Sequence, residues 1–258
     1  MPRSITFVAL ASALAIIAPD TASKAGERAD DPCARGAIAD VAAVAARDGR
    51  TFTTADGREV RLAGLEVPPA DGSGKAALDA LVAGKTVHLE RLGRTEDRYG
   101  RVTAFAYVDA GSVQRALLRQ GAAMVSSRAG TKACADTLFP DEAEAREAGR
   151  GLWAGPELRP KSAANPRDIA ALKGRFALVE GYILSVRTSG ATTYLNFAQP
   201  WWQGFSVSVL RRDARAFTAA GIALKQLQGK RIRVRGIVEM RRGPMIGAVR
   251  PEQIELIP

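Results

Sequence analysis

The sequence DGRTFTTADGREVRLAGLEVPP, at residues 48–69, sets two Asp-Gly pairs between short runs of residues that favour extended structure. Asp-Gly is a strong signal for a tight hairpin, because glycine adopts positive φ without a steric cost. The stretch therefore predicts three successive antiparallel strands. The last strand, at residues 59–65, alternates polar and apolar side chains and ends before Pro68 and Pro69.

Two arginines and a carboxylate lie at the ends of neighbouring predicted strands. Arg61 belongs to the strand at residues 59–65 and Glu66 follows it, while Arg101 opens the strand Val102–Val108. Guanidinium groups bind phosphate oxygens with two parallel hydrogen bonds, so these side chains could form a phosphate site. For Arg101, an exposed strand position without a function is the alternative.

The segments RLAGLEVPP (61–69) and DRYGR (97–101) resemble the staphylococcal nuclease family, which has RLxGIDxPE and D-x-YGR at these places. Two later segments, VQRALLRQG (113–121) and GRGLW (149–153), are similar to a helix and the closing tryptophan of that family. The resemblance covers residues 37–155. It implies a small closed barrel of the oligonucleotide-binding (OB) type with a phosphodiester-hydrolysing site.

The same resemblance implies that Arg61 and Arg101 hold the scissile phosphate, but three neighbouring positions depart from the family pattern. Arg50 stands at the first calcium-binding aspartate, Glu66 at the second, and Pro69 at the general-base glutamate. A guanidinium repels a cation, and proline cannot activate a water molecule. We therefore expect weak or absent hydrolysis of the family type and no resident cofactor, with Glu66 as a weak candidate ligand should Ca²⁺ still bind.

The N-terminal residues predict an export signal. Arg3 precedes an apolar run at residues 7–18, which is shorter than the roughly 20 residues that span a bilayer. A small-x-small cleavage site follows at residues 23–25. We expect a signal peptide at residues 1–25 and a periplasmic or secreted mature chain without a transmembrane segment. An uncleaved membrane anchor is the alternative.

The mature chain keeps two cysteines, Cys33 and Cys134. In an oxidising compartment such a pair predicts one disulfide, which would tie the N-terminal arm to the loop before the last helix of the nuclease-like part. Two unpaired buried thiols are the alternative. One histidine and two cysteines are too few for a Cys/His zinc site. The histidine, His88, falls on an outward position of an alternating strand.

Helical periodicity places three helices in the first part of the chain. The apolar spacing predicts one at residues 73–83 and another from residue 113, with Ser112 as its N-cap. Pro140 followed by two acidic residues predicts the start of a closing helix.

After a linker at residues 156–168, rich in proline and polar residues, the pattern restarts. It runs through three strands, a helix at residues 211–227 and two more strands, which is the OB-fold order. We therefore predict a mainly β chain with two five-stranded OB-type barrels in tandem, at residues 33–155 and 169–258, each with accessory helices.

The positive charge of the chain is concentrated in its second part. Residues 159–258 hold 17 Lys and Arg residues against 6 Asp and Glu, whereas residues 1–158 hold 20 against 21. The second part thus accounts for the whole formal net charge of +10. A basic domain binds polyanions such as nucleic acids through counterion release, and an anionic envelope surface is the alternative partner.

Arginines and tryptophans of the second part form a candidate nucleic-acid-binding surface. Alternate residues of one strand project from one face, and single-strand binders combine a basic groove with stacking aromatic side chains. The candidate residues are Arg231, Arg233, Arg235, Arg241, Arg242, Trp201 and Trp202. A solvated arginine face with one tryptophan in the core is the alternative.

Together, these features and the resemblance predict an exported protein of the thermonuclease family that binds nucleic acid or another polyanion through a degenerate nuclease site. Two other hypotheses remain open. One is an active secreted Ca²⁺-dependent nuclease acting on DNA or RNA, and the other is a structural or interaction protein of the envelope.

Overall fold

The structure, a computed structural model, describes residues 31–33, 36–68, 72–96, 100–109 and 111–258, and only the backbone of residues 92–96. The predicted signal peptide at residues 1–25 and the proline at position 69 lie outside the described residues. None of the helices in the described part is long and apolar enough to cross a membrane.

In the first part of the chain, the described residues form eight strands and three α-helices. The strands are β1 (Ala37–Asp48), β2 (Thr51–Thr54), β3 (Glu59–Leu62), β4 (Leu65–Glu66), β5 (Thr86–Glu96), β6 (Val102–Val108), β7 (Gly111–Ser112) and β8 (Met124–Val125). The helices are α1 (Ser73–Val82), α2 (Val113–Arg119) and α3 (Lys132–Glu147), followed by a 3₁₀ turn at Gly151–Trp153.

Five of these strands close into a barrel. Antiparallel pairing runs in the order β3-β2-β1-β5-β6, and a parallel pairing of β3 with β6 closes the circle. Apolar side chains from all five strands fill the interior, among them Phe52, Leu62, Leu89 and Phe105. Burial of each such side chain stabilises the fold by about 1.5–3 kcal/mol. The predicted mainly β fold with an OB-type barrel is confirmed.

The two glycines of the opening stretch act differently from the prediction. Gly57 has a φ of +81°, as a tight hairpin requires. Gly49 lies outside the left-handed region, and its conformation is open to other residues. What Gly49 provides is space, because a Cβ there would lie 2.7 Å from Cγ1 of Val67 and 3.3 Å from the backbone of Gly74. The turn before β2 is therefore packed directly against the start of α1.

The predicted disulfide between Cys33 and Cys134 is confirmed, with a Cα–Cα distance of 4.7 Å. Its position differs from the prediction, because α3 begins at Lys132 rather than at Pro140, which lies inside the helix. The side chain of Thr131 caps α3 by accepting a hydrogen bond from the backbone N–H of Cys134. The bridge therefore ties the N-terminal arm to the first turn of α3.

His88 lies on β5 between two carboxylates, 2.7 Å from Asp40 and 3.0 Å from Glu90. Burial alone would lower the pKa of His88, but the hydrogen bonds to the two carboxylates outweigh it and raise the pKa above its ordinary value of 6.5. The proton is therefore bound more tightly in the folded chain than in the unfolded one.

We expect His88→Gln to destabilise the protein by up to about 1 kcal/mol below pH 6.5, where this contribution is fully present. The difference should shrink as the pH rises through the folded-state pKa, because the charged pairs are lost there. Urea unfolding of both proteins across this pH range measures the effect. A difference in unfolding free energy that is the same at every pH would contradict it.

The second part of the chain contains the remaining eight strands. They are β9 (Lys161–Ser162), β10 (Phe176–Tyr182), β11 (Ser185–Ser189), β12 (Thr192–Asn196), β13 (Ser206–Leu210), β14 (Arg231–Met240), β15 (Pro244–Gly247) and β16 (Ile254–Leu256). The α-helices are α4 (Pro166–Ala170) and α5 (Arg211–Ala219), with 3₁₀ turns at Leu224–Leu227 and Pro251–Gln253.

The second barrel repeats the strand order of the first. Pairing runs β11-β12-β13-β15-β14-β10, and β13 with β15 is the parallel pair. The predicted long strand at residues 175–187 divides after Tyr182 into β10 and β11, which pair with β14 and β12 respectively. The bent segment therefore pairs with β14 through β10 and with β12 through β11, and these two pairings close the barrel.

The predicted linker at residues 156–168 is ordered and joins the two barrels. Its β9 pairs in parallel with β10, and α4 begins at Pro166. A separate apolar cluster joins Met124, Ala145 and Trp153 of the first part to Leu178 of β10. The two barrels therefore share buried surface in addition to their chain connection.

Candidate functional site

A cleft in the first barrel lies where the β1–β2 turn, β3 and the start of α1 meet. It encloses a cavity of about 400 Å³. Its polar wall is mostly cationic, with side chains from Arg47, Arg50, Arg61 and Lys75. The β2–β3 and β3–β6 pairings fix Arg61 opposite Thr51 and Thr103, so its position is set by the barrel itself.

A second cavity of about 660 Å³ adjoins the first and contains Arg101. The two cavities share Arg47 and Asp48 in their walls. Arg101 reaches this place because β6, which it precedes, lies parallel to β3. The structure thus brings the predicted arginine pair, Arg61 and Arg101, to two adjoining parts of one cleft.

The charge around Arg61 is strongly positive. Burial lowers the pKa of Arg61, and the charges of Arg50 and Arg101 lower it further against the opposing effect of Asp48 and Glu66. Among the residues that the structure describes, no carboxylate lies within 4 Å of the Arg61 guanidinium. An anion entering the cleft would relieve the repulsion between these guanidinium groups, so the site is suited to phosphate oxygens.

The guanidinium of Arg50 is hydrogen-bonded to Glu66, the carboxylate that the sequence indicated as a candidate metal ligand. Its Nη1 donates hydrogen bonds of 3.2 Å to Oε2 of Glu66 and 3.2 Å to the carbonyl oxygen of Leu65. A hard cation needs several convergent oxygens, and here a fixed positive charge lies beside the carboxylate. The described side chains include no group of three or more His, Cys, Asp or Glu that could hold a metal ion. The Glu66 carboxylate is thus engaged by a cation that belongs to the chain itself.

The N-terminus of α1 adds a feature that the sequence analysis missed. Residues 72–75 line the same cavity as Arg61, so the positive end of a ten-residue helix dipole lies at its wall. Among the described side chains none caps this end, and the first turn of the helix contains no acidic residue. Uncapped N–H groups at a helix start bind anions. The sequence SGKA, at residues 73–76, has no acidic residue, and this absence could have indicated an anion-binding helix start.

The predicted nucleic-acid-binding surface includes an arginine strip on β14, formed by Arg231, Arg233 and Arg235. The structure buries two of these three side chains. Arg233 is buried and pairs with Glu180 and Glu255, at 3.0 Å each. Arg235 is 0% exposed and pairs with Glu142 of α3 at 2.8 Å and with Glu255 at 3.2 Å. The alternation along β14 was right, but carboxylates of β10, β16 and α3 pair with Arg233 and Arg235, so these two side chains do not face solvent.

The remaining contacts of Arg235 complete an ion network between the barrels. Its Nη1 donates to the carbonyl oxygen of Val125 at 2.9 Å, and its guanidinium lies 4.4 Å from the ring centroid of Phe139. The third strip residue, Arg231, is partly exposed and lies 3.5 Å from Glu180. Acidic partners from distant segments neutralise this strip, and the spacing of the arginines gave no sign of them.

The other four candidates of the second barrel are exposed: Trp201, Trp202, Arg241 and Arg242. The two indole rings are perpendicular, with centroids 5.8 Å apart, and the Arg242 guanidinium lies 5.7 Å from the Trp201 ring centroid. These residues stand beside a separate groove of about 580 Å³.

Comparison with known protein families agrees with this geometry. Residues 61–155 match the family described as staphylococcal nuclease homologue. The matched residues include Arg61, Glu66 and Arg101, and a nuclease-like domain fits nucleic-acid binding. The match begins within β3, so β1, β2 and Arg50 lie before it. The second barrel lies outside the matched region. No curated protein matches the sequence at a significant level.

Proposed function

We propose that this chain, with its staphylococcal nuclease homologue domain, is an exported nucleic-acid- or polyanion-binding protein whose nuclease site has lost Ca²⁺-dependent hydrolysis. The observation that carries the proposal is the ion pair between Arg50 and Glu66 at 3.2 Å. The resemblance assigns a calcium-binding aspartate to the position of Arg50, so this ion pair supports a site whose positive charge comes from the chain itself.

Phosphate binding in this cleft needs no metal ion. Arg50 and Arg61 supply planar guanidinium groups, which pair with phosphate oxygens through two parallel hydrogen bonds. Lys75 and the start of α1 add positive charge on the same wall. A polyanion such as the backbone of a nucleic acid would therefore add negative charge to this mostly cationic cluster, beyond that of Asp48 and Glu66.

Hydrolysis requires a group that takes a proton from the attacking water. The family pattern has a glutamate for this at the position of Pro69, and proline has no proton-accepting side chain. The proposal is therefore binding with weak or no turnover. In this proposal Arg61 and Arg101 bind the phosphate, and the residue at the general-base position of the family pattern, Pro69, cannot accept the proton.

Export is the second element of the proposal. The Cys33–Cys134 disulfide is compatible with an extracytoplasmic location, since such bonds persist in oxidising compartments. The apolar segment at residues 7–18 and the small-x-small site after it support a signal peptide. A nucleic acid or an anionic envelope polymer would then meet the protein outside the cytoplasm.

We expect Arg61→Ala to weaken binding of a labelled oligonucleotide about tenfold, which corresponds to about 1.4 kcal/mol for one charge-assisted phosphate contact. The measurement is fluorescence anisotropy at fixed salt in the presence of a chelator. Arg212→Ala is the matched control, because it removes one exposed arginine from the other barrel. Near-ultraviolet circular dichroism confirms that both variants are folded.

Equal affinities of Arg61→Ala and Arg212→Ala would overturn the assignment of the cleft. Cleavage by the native chain that a chelator stops would instead support the active Ca²⁺-dependent nuclease. A chain that neither binds nor cleaves oligonucleotides would leave the structural envelope role as the better account.

A further inference from the structure

The groove on the second barrel is built separately from the cleft in the first. Its walls come from β11, β12, the loop at residues 197–205 and the turn between β14 and β15. The residues that line it are Arg187, Thr188, Ser189, Tyr194, Asn196, Trp201, Arg241, Arg242, Gly243 and Met245. No acidic side chain is among these lining residues.

The aromatic wall of the groove is accessible. Trp201 is 38% exposed and Trp202 beside it 50% exposed, although tryptophan is a residue that folding usually hides. Phe205 in the same segment shows the contrast, because it is fully buried with its ring 5.2 Å from that of Phe197. The indole of Trp201 therefore offers a stacking surface that the core does not use.

The charge of the groove is also available to a ligand. Arg187, Arg241 and Arg242 are exposed, in contrast to Arg233 and Arg235, which are buried and paired with carboxylates. Arg241 lies 3.8 Å from Glu239, and both side chains are largely exposed. Solvent screens such a pair, so it leaves most of the attraction for phosphates in place.

A polar acceptor lies at the floor of the groove. Asn196 is buried, and its Nδ2 donates to Oγ of Ser185 at 3.2 Å. Its Oδ1 has no hydrogen-bond partner among the described residues. A buried amide oxygen without a donor is costly, so Asn196 is a strained polar point in the wall of the groove.

We propose that this groove binds single-stranded nucleic acid, with one base stacked on Trp201 and the flanking phosphates on Arg187, Arg241 and Arg242. The inference rests on the proposed function for the class of ligand, but it concerns a different site and a different form of that ligand. Stacking needs an unpaired base whose face is open, which a duplex does not offer.

The experiment is a titration of the native chain with oligo(dT), followed by intrinsic tryptophan fluorescence. The chain has three tryptophans, and Trp153 is fully buried in the interface cluster, so quenching reports on Trp201 and Trp202. We expect saturable quenching by oligo(dT). Trp201→Phe should lose most of the quenching, and Trp201→Ala should weaken binding about tenfold, since stacking contributes about 1–3 kcal/mol per base.

The arginine contribution is tested with Arg241→Ala/Arg242→Ala, which should weaken oligo(dT) binding about tenfold or more. Arg212→Ala/Arg215→Ala is the matched control, because it removes the same charge from exposed positions of α5 that do not line the groove. Arg61→Ala should keep the quenching, so failure of the first-barrel site and failure of this groove are distinguishable.

Three results would overturn the proposal. Oligo(dT) binding without fluorescence quenching would place the ligand elsewhere. Equal weakening by the groove pair and by the control pair would show that only total charge matters. Equal quenching of the tryptophan fluorescence by a duplex or by inorganic polyphosphate would show that unpaired bases play no part.

Discussion

Replacing Arg235 with methionine is expected to lower the free energy of unfolding by about 3–5 kcal/mol. The side chain is 0% exposed, and its ion pair with Glu142, at 2.8 Å, is fully buried as well. Methionine fills part of the volume but leaves the Glu142 carboxylate without its cation. An uncompensated charge in the interior is among the most destabilising changes that a single substitution makes.

Two comparisons make the measurement specific. Arg231→Met, on the same strand, removes a side chain that is 38% exposed and 3.5 Å from Glu180, so its effect should stay below about 1 kcal/mol. The double replacement Arg235→Met/Glu142→Met should recover most of the loss, because it removes both charges together. Urea unfolding with the disulfide intact, followed by the fluorescence of Trp153 in the interface cluster, measures all three. Equal losses for Arg235→Met and Arg231→Met would contradict the buried network.

The network also connects the second barrel to the cleft. Arg235 donates to the carbonyl oxygen of Val125, and Val125 pairs with Leu65 in the β4–β8 ladder. Glu66, the partner of Arg50, is the next residue of β4. The second barrel thus supports the strand that holds one side of the phosphate site, and α3 takes part in the same support through Glu142.

The second large effect is a gain of metal dependence. We expect Arg50→Asp/Pro69→Glu to cleave oligonucleotides at least about a hundredfold faster with Ca²⁺ than with chelator, since a positioned general base alone contributes about 10²–10⁴-fold. The first replacement removes the guanidinium that occupies Glu66 and puts a carboxylate in its place. The second supplies a proton acceptor at the position where the family pattern has one.

The single replacements separate the two contributions. Arg50→Asp should gain Ca²⁺ binding, measured by calorimetry, with little cleavage, because the general base is still missing. Pro69→Glu should gain neither, since the cation of Arg50 remains in place. If the double variant neither binds Ca²⁺ nor cleaves, Arg50 and Pro69 do not stand at the positions assigned to them.

Local sequence signals predicted the barrels because the physics behind them is local. Alternation and the Asp56-Gly57 turn gave the strands of the first barrel, and Gly57 has the positive φ that the turn needs. Pro140 misled in the same local way, because proline followed by acids is typical of a helix start. Thr131 caps α3, so the helix begins at Lys132 rather than at Pro140, and Pro140 lies within the helix.

The site was harder to predict, because its decisive contacts join distant residues. Alternation along β14 placed Arg233 and Arg235 on one face, but it carried no information about Glu142, whose helix covers that face. The ion pair of Arg50 with Glu66 depends on how a turn and a strand pack. Asn196 lines the groove on the second barrel because β12 pairs with β11. The spacing of residues in the sequence could not show this pairing.

The central claim of the proposed function is that the cation in the phosphate site belongs to the chain, as the guanidinium of Arg50. The most direct test is the dissociation constant of the native protein for a labelled oligonucleotide, measured at constant ionic strength with Ca²⁺ and again with a chelator. The claim predicts the same affinity in both solutions. Binding that appears only when Ca²⁺ is present would contradict it.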